Sequence, residues 1–368
     1  MDTRDVTVVG AGAFGLWTAL ACLRLGLSVA VVEARAPGAG ASGGVVGALT
    51  PHRPTGWNAL KAVQLAGLAS LEGEAAALRE ETGIDTGYAR PGRVTPLRDE
   101  AAREGALADI EAARARWPAG HGIAVHDGPP CGTDGVFAAE AFAHGAVTDT
   151  LSARIDPRRL VAALGAAVEA RGGEIRRGWS VVRIDPSAGR LEGPAGSLSA
   201  GDLVLAAGWE TAPFAEALGL APGSPVKGQA ALLAASLPGN APVFHGRGVF
   251  VVRQGAGRVA IGSTSEPGRS DTETDGALDR VIATARSLCP ALADAPVAER
   301  WAGIRPRPPG RLPVIGPVPR APGVWMATGG HKIGLAIAHV AGEAIAHGIA
   351  GSPPPHPMPD EVVPHDPA

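Results

Sequence analysis

Two short motifs at opposite ends of this 368-residue chain hold the residues best suited to chemistry. Near the start stands Gly10-Ala-Gly-Ala-Phe-Gly15, whose spacing of glycines matches a cradle for a dinucleotide phosphate. Near the end, Trp301-Ala-Gly-Ile-Arg-Pro306 carries Arg305, a fixed fork of donors for a carboxylate. A dinucleotide facing an arginine clamp predicts redox chemistry on an acid that bears a second reactive group. The other reading of Arg305 is a structural ion pair.

The glycine run gains meaning from the elements around it. Val6 to Val9 is a short apolar run of the kind that forms a buried parallel strand. Phe14 to Leu25 reads as a helix with Leu16, Leu20 and Leu23 on one face and Gly26 as its stop. Ser28 to Glu33 is a second buried strand, so the three pieces form a β-α-β unit. In such a unit the first glycine permits the tight turn, the second lets the backbone approach the pyrophosphate, and the third lets helix and strand pack closely. The helix N-terminus favours the phosphate charge. Glu33 falls at the spacing, roughly 20 residues on, where an acid accepts hydrogen bonds from a ribose. An acid there argues against NADP, whose extra phosphate it would repel.

Two features favour FAD over NAD. A second glycine loop, Gly38-Ala-Gly-Ala-Ser-Gly-Gly44, directly follows the ribose acid, where a longer cofactor needs more backbone donors. A strand at Val324 to Ala327 runs into Gly329-Gly330, which opens a helix through about His347. The positive end of that helix, reinforced by His331 and Lys332, would stabilise the anionic reduced flavin. A solvated helix start is the alternative for these two residues.

Further along, the pattern predicts a long packing helix over Asn58 to Thr82 and another over Asp99 to Arg116. Residues 117 to 150 read as irregular. Asp156-Pro157 starts a helix that Gly172-Gly173 ends. A strand is predicted near Glu174 to Ile184, another near Gly189 to Leu191, and a buried one over Leu203 to Gly208. Val226 to Thr264 alternates as antiparallel strands do. Residues 275 to 289 form a helix, and Ala298 to Ile304 a strand that runs into prolines. Residues 351 to 368 read as a loosely held tail.

The fold class expected is therefore α/β + β. A Rossmann-like FAD-binding domain is built from residues 1–84, 150–222 and 301–350. An antiparallel-sheet substrate domain is inserted as residues 85–149 and 223–300, and residues 351–368 form a flexible tail.

Composition narrows the function classes. Net charge is −3, so nothing draws the chain as a whole to nucleic acid or to an anionic membrane. The 52 glycines and 33 prolines are interrupted by regular apolar segments and read as tight turns, not disorder. Cys22, Cys131 and Cys289 make no metal-binding or disulfide spacing, which fits a reducing compartment. No signal-peptide pattern is present, and no apolar stretch approaches the roughly 20 residues of a membrane span. A cytoplasmic protein, monomeric or homo-oligomeric, with no metal site is expected.

Several segments, in order, resemble the glycine oxidase, D-amino-acid oxidase and sarcosine oxidase superfamily of FAD enzymes. They are Gly10 to Gly15, Gly40-Ala-Ser-Gly43, Leu203 to Gly208, Pro225-Val-Lys-Gly-Gln229, Gly257 to Thr264, Trp301 to Pro306 with Pro313-Val-Ile-Gly316, and Ala327-Thr-Gly-Gly-His-Lys-Ile-Gly334. The resemblance implies FAD-dependent oxidation of the C–N bond of a small amino or N-alkylamino acid. Hydride passes from the α-carbon to flavin N5, the imine hydrolyses, and O2 takes the electrons to give H2O2. It implies that Arg305 holds the substrate carboxylate, with Lys332 and His331 beside the reacting atoms and Phe250, His52 and Tyr88 around the substrate. It places the cofactor on Gly10, Gly12, Ala13, Phe14, Gly15, Glu33, Arg35, Ala41, Ser42, Gly43, Gly47, Ala48, Leu49, Val181, Ala207, Gly208, Trp209, Arg305, Gly330, His331, Lys332, Ile333 and Gly334.

The departures from the family pattern are as informative. Phe250 stands where glycine-oxidase-like members have a tyrosine, and Tyr88 is the only tyrosine in the chain. Lys332 stands where they have an arginine. Residues 301 to 320 contain no cysteine, so FAD should be held non-covalently. The lysine with which sarcosine oxidases activate oxygen has no match near Arg258 to Gly262. A dehydrogenase, or a subunit passing electrons to a partner, is thus one alternative. Gly40 to His52 also looks like the flavin domain of enzymes that trim carboxymethylaminomethyl groups on tRNA uridines, which is another. His52, His245 and Arg253 are polar residues at site-facing positions for which surface or structural roles serve equally well. Lys227 is read either as a buried lysine near the flavin or as a surface ion pair.

Overall fold

A computed structural model describes residues 4–133 and 135–365. Two large sheets organise it. In the first, neighbouring strands run in the order Val314–Pro317, Val324–Thr328, Gly196–Leu205, Arg4–Val9, Val29–Glu33 and Glu174–Arg177. All pairings along this row are parallel except that of Val314–Pro317 with Val324–Thr328. Gly196–Leu205 also extends outward to pair with Arg190–Gly193, which pairs with Arg183–Asp185.

Both faces of the parallel strands are buried, which explains their unbroken apolar runs. On one face Val6, Val8, Val29, Val31 and Val204 meet the helices Ala13–Arg24, Pro157–Ala170 and Gly334–Ile349. On the other, Val9, Val32, Leu203, Leu205 and Met326 meet Trp179, Leu191, Ala215 and Leu220. Four of the helices begin at a side chain that caps them. Asn58, Asp99, Asp156 and Asp275 each accept a hydrogen bond from backbone N–H groups of the following turn.

The second sheet carries Ser224–Leu233, Val259–Gly262, Val249–Arg253, Val243–Gly246, Arg93–Pro96, Ala146–Asp149 and Ile123–His126. It is antiparallel but for the pairing of Val243–Gly246 with Arg93–Pro96. Val297–Arg307 pairs along the whole of Ser224–Leu233, antiparallel, from Ser224 opposite Arg307 to Leu233 opposite Val297. Alternation sorts the side chains. Ala231, Leu233, Val251 and Ile261 pack under the helix Gly276–Leu288, while Ala230, Leu232, Val252 and Ala260 face Val45 on the opposite side.

The structure revises several expectations. Residues 117–150 contain two strands, Ile123–His126 and Ala146–Asp149, paired with each other; the glycines around them hid the short runs. The strand predicted over Glu174 to Ile184 is two strands in different parts of the sheet, because Gly178 turns the chain with φ 71°. Val314–Pro317 is a strand whose flanking prolines masked it. Residues 301–307, grouped from sequence with the cofactor layer, belong to a strand of the second sheet. The last long helix begins at Gly334, not at Gly330, since His331 takes a positive φ of 40°. Of the segment read as a loose tail, residues 352–365 are held: Val362 is 1% exposed, and Val363 packs against Gly316; residues 366–368 lie outside the described residues. Among the described residues, no helix is long and apolar enough to cross a membrane.

Candidate active site

A cleft of about 1360 Å³ runs between the two sheets, from Glu33 at one end to Arg305 and Lys332 at the other. The first sheet supplies its floor. Gly10 turns the chain with φ 104°, and a Cβ there would meet the Ala206 carbonyl at 2.6 Å. Gly15 does not line the cleft. A Cβ on it would meet the Gly10 carbonyl at 1.9 Å, so its role is the close packing of helix on turn. Gly12, Ala13 and Phe14 line the cleft at the start of their helix, and Ser42 Oγ accepts from Ala13 N at 2.9 Å, tying the two glycine loops together. Gly43 lies behind the lining, close against the Gly38 carbonyl.

Glu33, 9% exposed, accepts from Ala11 N at 2.8 Å through one carboxylate oxygen and from Arg35 N at 2.9 Å through the other. Each oxygen keeps a lone pair for a sugar hydroxyl. Arg35 lines the same end and pairs with Glu210 at 3.4 Å. Ala41, Gly47, Ala48, Leu49, Val181, Ala207, Gly208 and Trp209 line the cleft, and so do Gly330, His331, Lys332, Ile333 and Gly334. The Gly334–Ile349 helix therefore begins at the cleft wall with its unsatisfied N–H groups there. None of the three cysteines lines the cleft.

Trp301, Gly303 and Arg305 alternate onto one face of Val297–Arg307, which gives the Trp-x-Gly-x-Arg motif its logic. The Trp301 ring covers Gly303, where a Cβ would meet it at 2.4 Å, and lies over Gly44 of the second glycine loop, where a Cβ would meet it at 3.2 Å. The Arg305 guanidinium lies across Gly228 of the partner strand, where a Cβ would meet Nη2 at 2.1 Å. Nη2 donates to Ser263 Oγ at 2.7 Å and Nη1 to the Thr264 carbonyl at 3.2 Å. Among the described residues no carboxylate makes an ion pair with it. Burial pulls its pKa below the ordinary arginine value while Glu266 opposes this, and the guanidinium stays charged.

On the same sheet, where Phe250 pairs with Gly262 next to Ser263, stands a stacked pair, His245 on Phe250, with ring centroids 4.3 Å apart. Burial pushes the His245 pKa down to about 4, with Arg93 and Lys332 adding to the shift, so the ring is neutral at pH 7. Lys332, exposed at the cleft, is itself lowered by desolvation and by the Arg305 charge.

Other sequence candidates lie elsewhere. His52 is exposed and outside the lining; its backbone N donates to Gln64 Oε1 at 2.8 Å. Tyr88 packs against the core of the first layer beneath Arg90, with burial raising its phenol to about 12, and does not reach the cleft. Arg253 donates to the Leu237 carbonyl. Lys227 is completely buried yet ion-paired to Asp271 and Asp275, away from the lining, which fits neither of its sequence readings. The sequence reading missed Gly228 and Ser263 as the setting of Arg305; Gly228 lies in a quoted motif, but its use depends on strand register. Among the described residues, no group of His, Cys, Asp or Glu is arranged to hold a metal ion.

These features are those of a flavin-dependent oxidoreductase. The chain belongs to the DAO family of FAD dependent oxidoreductases, whose model matches residues 5–347. It is 28% identical over 351 residues to the glycine oxidase of Geobacillus kaustophilus, covering 93% of this chain and 92% of that protein. It is 34% identical over 184 residues to the glycine oxidase of Pseudomonas aeruginosa, a match spanning 50% of this chain and about half (49%) of that relative's length. Its fold superposes on the crystal structure of glycine oxidase from Geobacillus kaustophilus with a TM-score of 0.92, 23% identity and full coverage of both chains.

Proposed function

We propose that this protein oxidises the C–N bond of a small amino or N-alkylamino acid. The observation that carries the reading is Arg305: a charged fork at the cleft, held by a hydroxyl and a carbonyl, with no carboxylate of its own among the described residues. A substrate carboxylate supplies the missing anion. Relatives named glycine oxidase support a small substrate.

FAD, when bound, supplies the two-electron acceptor. Gly10, Gly12, Ser42 and Glu33 would hold its phosphates and ribose. The chain's own residues then orient and exclude. Arg305 fixes the carboxylate, so the α-carbon and amine point toward the turn at Gly330 to Gly334. Phe250 and neutral His245 line the cleft near Ser263 with apolar surface and take no proton there. The positive helix start and Lys332 favour negative charge accumulating at that end of the cleft. The imine product hydrolyses in water, and O2 accepts the electrons as H2O2. A partner protein as acceptor is the alternative.

Arg305→Ala is expected to raise KM by an amount on the order of 2–5 kcal/mol while FAD stays bound. An unchanged KM would remove the assigned role. Anaerobic titration with glycine, sarcosine, proline and each alanine enantiomer then identifies the substrate by bleaching of the flavin band.

A further inference from the structure

Ser263 and Thr264, which anchor the Arg305 guanidinium, lead into a segment that carries a connected set of charges. Thr264 is tied to that set by three bonds. Its N donates to the Gln229 carbonyl at 3.1 Å, and its Oγ1 accepts from Gln229 N at 2.9 Å and donates to Glu266 Oε1 at 2.5 Å. Glu266 also accepts from Gln229 Nε2 at 2.9 Å and pairs with Arg269 at 2.8 Å. Arg269 continues to Asp271 at 2.9 Å and to Asp275 at 2.6 Å, and both of these acids pair with the buried Lys227.

The set does not balance. Three carboxylates, Glu266, Asp271 and Asp275, stand against two cations, Lys227 and Arg269, which leaves one negative charge in excess. Arg300 touches the set through the Asp275 carbonyl at 3.4 Å but is matched by its own partner, Asp279. Burial raises Glu266, yet hydrogen bonds from Thr264 and Gln229 more than offset it; a hydrogen bond from Lys227 lowers Asp271, and bonds from Gln229 and Arg269 lower Asp275. All three acids are therefore ionised at pH 7. None of them lines the cleft, whereas Ser270, Thr272 and Thr274 do, so the segment turns hydroxyls to the cleft and acids to Lys227 and Arg269. The Glu266 charge nonetheless acts on Arg305. An anion fixed behind a guanidinium repels a second anion arriving in front of it.

We propose that Glu266 is a positioning residue: it holds the Thr264 anchor of Arg305 and, as the excess charge behind that arginine, weakens its hold on a carboxylate so that the acid product leaves. The proposal rests on the reading that Arg305 binds the substrate carboxylate. Neutral anchors alone, a hydroxyl and a carbonyl, would leave the full charge of the guanidinium on the ligand.

The test is the affinity of the FAD-loaded protein for acetate, a carboxylate with no amine to oxidise, measured by calorimetry. Arg305→Ala should abolish binding. Glu266→Gln keeps an oxygen for Thr264 and Gln229 but removes the charge, and should tighten acetate by about two- to fivefold, the scale of one charge acting from beyond contact in a partly solvated setting. A residue that served the fold alone would weaken binding when altered. Glu266→Asp keeps the charge and should not tighten it. Arg269→Gln deepens the excess and should weaken acetate by a similar factor, and that loss should shrink in about 1 M salt, as a packing defect would not; this pair of measurements decides if Glu266→Gln does not fold. Unchanged or weaker acetate binding in Glu266→Gln, with Arg305→Ala still abolishing it, would overturn the role of Glu266 and leave Arg305 standing. Equal acetate affinity in the wild type and Arg305→Ala would overturn the reading of Arg305 and this proposal with it.

Discussion

The Arg305 guanidinium rests where the side chain of residue 228 would be, on a glycine paired two residues from its own strand partner, Val226. Gly228→Ala places a methyl 2.1 Å from Nη2, so the fork must move. The expected result is a loss of kcat/KM of up to about 10²-fold, the scale of a misplacement near 1 Å. FAD content should be unchanged. Steady-state kinetics beside a flavin absorbance ratio checks this; wild-type kcat/KM would show that the geometry of the fork is not limiting.

Glu33 serves the protein before it serves a ligand, because it secures the N–H groups of Ala11 and Arg35. Glu33→Ala leaves two backbone donors without partners, at about 1–3 kcal/mol. FAD affinity should fall by about ten- to a hundredfold, and Glu33→Gln should fall less. Quenching of free flavin fluorescence on binding measures both.

Acid should unfold the protein partly through two histidines. His245 is lowered to about 4 and His339 to about 3, each chiefly by burial, from an ordinary value of 6.5. Below pH 6.5 the unfolded chain binds protons that the folded one refuses. Stability is therefore full above pH 6.5 and declines as pH falls toward 4, at up to about 1.4 kcal/mol per pH unit for each group. His245→Phe should flatten that slope in urea titrations between pH 4 and 6.5. An unchanged slope would mean that His245 is not held neutral by its surroundings.

Lys332 adds one positive charge to the helix start at the cleft. Lys332→Met should lower the reduction potential of bound FAD by about 7–20 mV, the equivalent of about 0.3–1 kcal/mol of charge interaction. Lys332→Arg should restore it. A potential identical in all three proteins would assign Lys332 to solvent alone.

Much of this was legible in the chain because main-chain requirements leave marks. Gly10, Gly12 and Glu33 lie in one β-α-β unit, and their roles follow from local spacing. Trp301, Gly303 and Arg305 are likewise one strand's alternation. What stayed hidden depends on register between distant strands or on turns. Gly228 meets Arg305 only through the pairing of two strands, and no local pattern reports that. Tyr88 and His52 matched a chemical need by residue type, yet the chain folds them away from the cleft. Lys227 shows the same limit: its burial is set by the sheet, and its partners come from a loop some 40 residues on.

The long ladder between Ser224–Leu233 and Val297–Arg307 has an evolutionary reading. It fixes the anion anchor by backbone pairing and glycine clearance, so the anchor is insulated from changes in neighbouring side chains. Phe250 and His245 sit on other strands and line the same cleft with replaceable groups. On the proposed role of Arg305, a lineage exchanges one amino acid for another as its food without rebuilding the grip on the carboxylate they share.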